Sequence, residues 1–247
     1  PKIEQEEKIL KIPREEALDK NKRIKFENEN IKGSISLKGG LIDDLIFKKY
    51  TETLDGSDNV VLLNPRNLEN GYFVETGWAT NVDVEIPGAN TLWEIEGNTN
   101  LGPNNPIKLV WENKEGLKFE KKISLDNKFL FTIDQKITNS SQKNYKFYPY
   151  GQITRNKAPQ VTNFYILHEG LIGVFDEQLV EKDYDDIEDK KFSVNANSGW
   201  TGITDKFWIV TMIPENNRPF RGDFEYKNNY KANFIYTNYD EVSANSS

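Results

Sequence analysis

Cysteine is absent from the 247 residues, and histidine and methionine occur once each. Without thiolates there are no disulfides, no thiol nucleophile, no zinc ribbon and no iron-sulfur ligation. The absence of cysteine is compatible with an oxidising compartment. The single imidazole, His168 in "YILHEGLIG", removes every two-histidine zinc motif and most serine-histidine arrangements. A lone histidine at a strand end is expected to be hydrogen-bonded and structural rather than a general base. Long apolar runs are also missing. The longest, around residues 208–213, has the length of a strand, far short of the roughly 20 residues that a membrane-spanning helix needs. Positive charge is not in excess either: 32 Lys and Arg stand against 39 Asp and Glu, a net charge of -7. No basic stripe with interposed aromatics emerges, which argues against nucleic acid as a partner. The sequence begins at Pro1 without an initiator methionine or leader, so an upstream segment is expected to have been removed.

What is present suits a folded β protein. Hydrophobic residues make up 36% and aromatics 12%, enough to fill a core in a chain of this length. Residues 1–22 are charge-dense, and a polar segment this short does not hold a helix without packing, so they are expected to form a flexible tether. From Ile24 onward the period is two. In "IKGSISLKGGLIDDLIF", Ile31, Gly33, Ile35 and Leu37 share one side, and Gly39 and Gly40 supply a hairpin turn. The same alternation places Ile107, Leu109 and Trp111 together, then Leu117, Phe119, Ile123 and Leu125, then Phe129, Phe131, Ile133 and Ile137. The turns between these strands, "NKEG" and "LDNK", are of the kind hairpins use. In "YKFYPYGQITR", Pro149 points to a bulge or an edge position. Residues 55–105 and 175–191 read as loop-like, the latter as a short acidic helix or a solvated excursion. Strands at intervals of about ten residues, with little helical periodicity, predict an all-β fold with minor α content, a sandwich or barrel in one domain over residues 23–247.

Chemistry is sparse. Asp43 and Asp44 are adjacent and should face opposite sides of a strand, a poor acid-base dyad, and Asp185 with Asp186 lies in a solvated acidic run over 181–189 that lacks a calcium loop. "GNTNLGPNN" and "KGG" open no helix, so nucleotide binding is unsupported, and there is no G-x-S-x-G elbow. No cofactor, metal or catalytic set is indicated. Trp78 and Trp93 lie in loop-rich sequence, where aromatics either cap a core or form a sugar-binding cleft. In "GWTGITDKFWIVTMIP", Gly199 and Gly202 permit a tight turn. The strand that follows is apolar on both faces, which predicts a central strand covered on both sides.

That stretch resembles a signature of the large periplasmic domain of the YidC insertase family, carried here by Gly199, Trp200, Gly202, Asp205, Lys206, Trp208 and Pro214. "GSISLKGGLIDDLIFKKY", "FEKKISLDNKFLFTIDQKITN" and "GQITR" are similar to the family's opening hairpin, central strand pair and following strand. The resemblance implies a twisted antiparallel β-supersandwich of the galactose-mutarotase-like type, without catalysis of its own. It implies a place at the periplasmic face of the inner membrane in a multi-pass protein, with residues 1–22 following a first transmembrane helix and the chain stopping before the linker to the second. The implied partners are the Sec translocon, SecDF and SecYEG, and nascent inner-membrane proteins. Beside this stand a carbohydrate-binding or mutarotase-like protein using Trp78 and Trp93, and a plain spacer. The single histidine cannot reproduce the paired histidines of mutarotases.

Overall fold

A computed structural model describes residues 9–56, 58–159, 168–205 and 207–246. The described elements run α1 (Arg14–Asp19), β1 (Arg23–Glu27), β2 (Ile31–Ser36), β3 (Leu41–Thr51), β4 (Asn59–Leu63), β5 (Tyr72–Ala79), β6 (Glu94–Glu96), β7 (Asn100–Leu101) and β8 (Ile107–Glu112). They continue with β9 (Leu117–Leu125), β10 (Phe131–Asn139), β11 (Tyr145–Arg155), β12 (Gly170–Phe175), β13 (Gln178–Asp183), α2 (Tyr184–Asp189) and β14 (Phe192–Ala196). The last are β15 (Gly199–Thr204), β16 (Ile209–Met212), β17 (Phe220–Tyr226), β18 (Tyr230–Tyr236) and β19 (Asp240–Val242).

An 11-stranded sheet in the order β14-β17-β18-β11-β5-β3-β2-β1-β7, with β4 on β3 and β19 on β11, forms the large layer. Two four-stranded sheets, β10-β9-β8-β6 and β13-β12-β15-β16, cover it. The alternation of β5 and β11 shows how. Tyr72 pairs with Arg155 and Trp78 with Pro149, so these four residues project from one face of the large sheet. At one end Trp78 meets Phe119 of β9 edge-on at 5.2 Å, and Phe119 meets Phe147 at 5.7 Å. At the other end the Tyr72 hydroxyl donates to the Ile203 carbonyl of β15 at 3.1 Å. Phe175 of β12 packs on Phe224 of β17 at the same end. One face of the large sheet therefore carries both small sheets, and the core is continuous between them.

The β2–β3 and β9–β10 hairpins fall where alternation places them. Other elements differ from expectation, each for a local reason. The loop-like stretch 55–105 contains β5, a central strand, whose "YFVETGWA" shows no clean period because Glu75, Thr76 and Gly77 interrupt its apolar residues. Pro149 lies inside central strand β11 rather than at an edge. On one side β11 pairs with β19 through Phe147 and with β18 from Tyr150, so the proline falls where the partner changes and a missing N–H costs no ladder bond. Phe129 is half-exposed in the β9–β10 turn instead of lining the inner face. Residues 175–191 hold β13 and α2, which buries Tyr184 and Ile187 and leaves Asp185 and Asp186 exposed.

Residues 9–22 are not a free tether. Leu10 forms a parallel bridge with Leu68, Ala17 is buried, and Arg14 ion-pairs with Asp44. A slip in the β2–β3 register between Ser34 and Ile35 makes a bulge at Asp43, and this brings Asp43 and Asp44 into one network instead of onto opposite sides. Arg23 pairs with Asp43 and donates to Ser34 Oγ, which donates to Asp44. Two guanidinium groups balance two carboxylates, so the pair clamps α1 and β1 to the sheet rather than forming an acid-base dyad. Burial raises the Asp43 pKa, and the charge of Arg23 offsets that only in part.

Gly199 adopts φ +130° where β15 begins, and a Cβ there would lie 1.9 Å from the Val174 carbonyl oxygen. Gly199→Ala should lower unfolding stability by about 2 kcal/mol or more, because both the torsion and the contact are closed to L side chains. Chemical denaturation checks this, and a loss below about 0.5 kcal/mol would contradict it.

Candidate functional site

The inner row of β9 reads Leu117, Phe119, Lys121, Ile123 and Leu125, so the period that buries four apolar residues also buries a lysine. Lys121 is 2% exposed. Its Nζ donates to the Thr76 carbonyl at 2.6 Å and lies 4.9 Å from the Trp93 ring centroid and 6.0 Å from that of Trp78. Cation-π attraction and one strong hydrogen bond replace part of the lost hydration. Desolvation nevertheless lowers the pKa of Lys121 to about 8, against which the charge of Glu75 works in the other direction. Glu75 in turn accepts from Gln152 Nε2 at 3.0 Å.

Trp78 and Trp93 are brought together, with ring centroids 6.5 Å apart, and both are buried. They are not exposed platforms for a sugar. The β2–β3 turn closes over them: Gly39 N–H donates to Thr91 O, Trp93 N–H donates to Leu37 O, and a Cβ on Gly40 would lie 3.1 Å from Trp93 Nε1. The space left among Trp78, Trp93, Lys121 and Tyr150 is about 10 Å³, room for about one water molecule. Trp93 Nε1 is buried there and has no acceptor among the described residues. Two donors, an ammonium and an indole N–H, face a space that suits only the smallest acceptor. Parity along β9 was the signal that could have found Lys121 in the sequence.

The 199–214 hairpin is fastened at several points. Both carboxylate oxygens of Asp205 accept from Arg155 at 2.6 Å, and that guanidinium lies 4.7 Å from the Tyr72 ring centroid. Trp208 stacks on Phe47 with centroids 4.3 Å apart. Gly202 lets the Val210 carbonyl approach, since a Cβ there would lie 2.5 Å from it. Trp200 faces Val174 across the ladder, and Pro214 is buried just after β16. Lys206 lies outside the described residues. The strand that leads to Pro214 is not central: among the described residues β16 is the edge of its sheet, and Phe207, Ile209 and Ile213 are exposed.

His168 is placed as a fastener. Its Nε2 donates to the Leu171 carbonyl at 3.1 Å and its Nδ1 lies 3.1 Å from Asp183 Oδ1, tying the start of β12 to the end of β13. A larger groove of about 770 Å³ lies between α1 and the outer face of β1–β3; on its wall Arg14 and Asp44 pair with each other and Arg23 pairs with Asp43. Among the described residues no group of three or more His, Asp or Glu is placed to share a metal ion, and no helix is long and apolar enough to cross a membrane.

Comparison with known proteins decides the family. The model of the YidC periplasmic domain matches residues 23–247. The membrane protein insertase YidC of Pelagibacter ubique is 51% identical over 248 aligned positions, covering 100% of this chain and 44% of that protein. The chain belongs to the YidC periplasmic-domain family. The membrane protein insertase YidC of Mesorhizobium japonicum is 39% identical, over 90% of this chain and 38% of that protein. The chain thus spans less than half the length of these curated relatives. Among solved structures, a galactose mutarotase related enzyme from Lactobacillus acidophilus superposes with a TM-score of 0.57 at 12% identity, covering 91% of this chain and 94% of that one. A galactose mutarotase-like protein from Lactobacillus casei gives 0.56 at 10% identity, with 91% and 96% covered. At these identities the likeness shows the supersandwich fold alone. The YidC domain is the periplasmic domain of an insertase family.

Lys121 gives the YidC domain a distinctive pH response. Its folded pKa is depressed, so the unfolded state binds the proton more tightly and the cost of burying the charge is complete below pH about 8. That cost is relieved as pH rises from about 8 toward the ordinary lysine value of 10.5. Relative to Lys121→Met, the wild type should gain about 3 kcal/mol of unfolding stability across that window. Urea denaturation of both proteins at several pH values checks this; parallel pH profiles would contradict it.

Proposed function

We propose that this domain is the periplasmic module of a multi-pass inner-membrane insertase. In this reading it stands at the periplasmic face of the inner membrane and supports insertion and folding of inner-membrane proteins by touching Sec translocon components, SecDF and SecYEG, and emerging client segments. It performs no catalysis of its own. The residues before Arg23 connect it to a first membrane helix. The observation that carries the reading is the family match over residues 23–247 together with 51% identity along the whole chain to an insertase.

The site geometry supports a contact module over a ligand-binding one. Buried tryptophans with about 10 Å³ between them leave no room for a pyranose ring, which weighs against the carbohydrate reading. In this reading Gly199, Trp200, Gly202, Asp205, Trp208 and Pro214 hold the hairpin on the body, and Trp78 and Trp93 cap the core.

The test uses the full-length insertase with and without residues 23–247, joined by a flexible linker of matched span, and measures both SecDF co-purification and insertion of a Sec-dependent client. Loss of co-purification is the expected result. Unchanged co-purification and unchanged insertion would reduce the domain to a spacer.

A further inference from the structure

β3 and β5 are neighbours in the large sheet, but they share only the Ile42–Val74 pair before they part. Farther along β5, the Thr76 carbonyl is met by a side chain of the small sheet, Lys121 Nζ, at 2.6 Å. The segment 87–93 covers the gap and is tied to the β2–β3 hairpin through Gly39 N–H to Thr91 O and Trp93 N–H to Leu37 O. About 10 Å³ remains where these parts meet, walled by Glu75, Thr76, Trp78, Tyr150, Trp93 and Lys121.

Donors outnumber acceptors around this space. An ammonium carries three N–H groups, and the Thr76 carbonyl takes one from Lys121. The rings of Trp93 and Trp78 answer the charge but do not replace directional bonds. The indole of Trp93 can only donate, and its Nε1 is buried with no acceptor among the described residues. The two donors converge. The position that a Cβ would take on Gly40 lies 3.1 Å from Trp93 Nε1 and 3.4 Å from Lys121 Nζ, so one oxygen atom beside that glycine is within hydrogen-bonding reach of both. Burial lowers the pKa of Lys121, and the charge of Glu75, on the same wall, works against that.

The chemistry of the wall selects the occupant. Internal spaces that stay dry are lined by apolar groups, whereas a polar space of this size holds one water molecule. A small anion would accept from both donors but would stand against the Glu75 carboxylate and the Thr76 carbonyl. Water brings two lone pairs for the donors and two protons for such oxygens. We propose that this space is the site of one resident water molecule, which accepts from Trp93 Nε1 and Lys121 Nζ and donates to the Glu75 carboxylate. It joins β9, β5 and the segment 87–93 at the place where β3 leaves β5, and it gives the buried ammonium a second directional acceptor. Three partners are within the two to four that hold a buried water. The inference stands apart from the insertase reading.

Two measurements on the unaltered chain test this. In a high-resolution crystal structure an isolated density peak should lie within about 3.2 Å of both Trp93 Nε1 and Lys121 Nζ, and crystals soaked in sodium bromide should show no anomalous peak there. In solution the Trp93 indole proton should give a rotating-frame cross-peak to water with the sign of dipolar contact, which is opposite to that of proton exchange. Lys121→Met removes one donor and leaves an apolar chain in its place, and should weaken that cross-peak at least about threefold. If that variant fails to fold, the crystal and the wild-type cross-peak decide alone. A site without density together with an indole proton that has no dipolar contact to water, a bromide peak between the two donors, or a cross-peak unchanged in folded Lys121→Met would each overturn the proposal.

Discussion

One face of two adjacent strands has to be kept from water along its whole length, and most of the architecture follows from that. β5 and β11 share eight paired positions, and their common face presents Tyr72 and Arg155 at one end and Trp78 and Pro149 at the other. Two small sheets divide the task, one meeting Trp78 and the other Tyr72. Directional bonds fasten both: Lys121 and Gln135 donate to the Thr76 and Gly77 carbonyls for one, where Trp78 also packs on Phe119, and Tyr72 donates to the Ile203 carbonyl and Arg155 to Asp205 for the other. Apolar burial gives the bulk of the stabilisation, and these bonds select which strand faces which.

Polar groups inside such a core are costly unless paired, and their distribution describes what the domain is built for. Lys121, Asp43, Asp44 and Arg155 are all engaged with protein partners. Burial pushes the hydroxyl pKa of Tyr72 well above its ordinary value, as expected of a group that donates to a carbonyl and stays neutral. The groups that burial perturbs are bonded within the fold, Lys121 to the Thr76 carbonyl, Asp43 to Arg23 and Tyr72 to the Ile203 carbonyl. The fold is mutarotase-like, and the covered face of its large sheet is filled by packing.

Much of this was legible in the residues, and the rest was hidden for physical reasons. Alternation in "GSISLKGGLIDDLIF" and "LKFEKKISL" predicts both hairpins, because one face of each is wet or differs in polarity from the other. The same parity that buries Leu117 and Ile123 also buries Lys121, yet a lysine between apolar residues reads as an interruption rather than as a member of the row. β5 escaped because Glu75 and Gly77 break its period, and their environment is set by Gln152 and Tyr150, distant in sequence. β16 misled in the other direction. An apolar strand on both faces reads as central, whereas the sheet order puts β16 at an edge and the exposure of Ile209 and Ile213 shows that one of its faces is bare. The clamp of Arg14 and Arg23 on Asp43 and Asp44 depends on a bulge and on a segment whose polarity alone predicts a free tether.

If β5 and β11 are the common support of both small sheets, neither small sheet has an independent fold. Native-state hydrogen exchange across a denaturant series measures this directly. The amides of β9 in one small sheet and of β12 and β15 in the other should open with the same free energy as those of β5 and β11, as one cooperative unit. Opening of either small sheet at a distinctly lower free energy, with β5 and β11 still protected, would contradict the claim that a shared face binds the domain into one body.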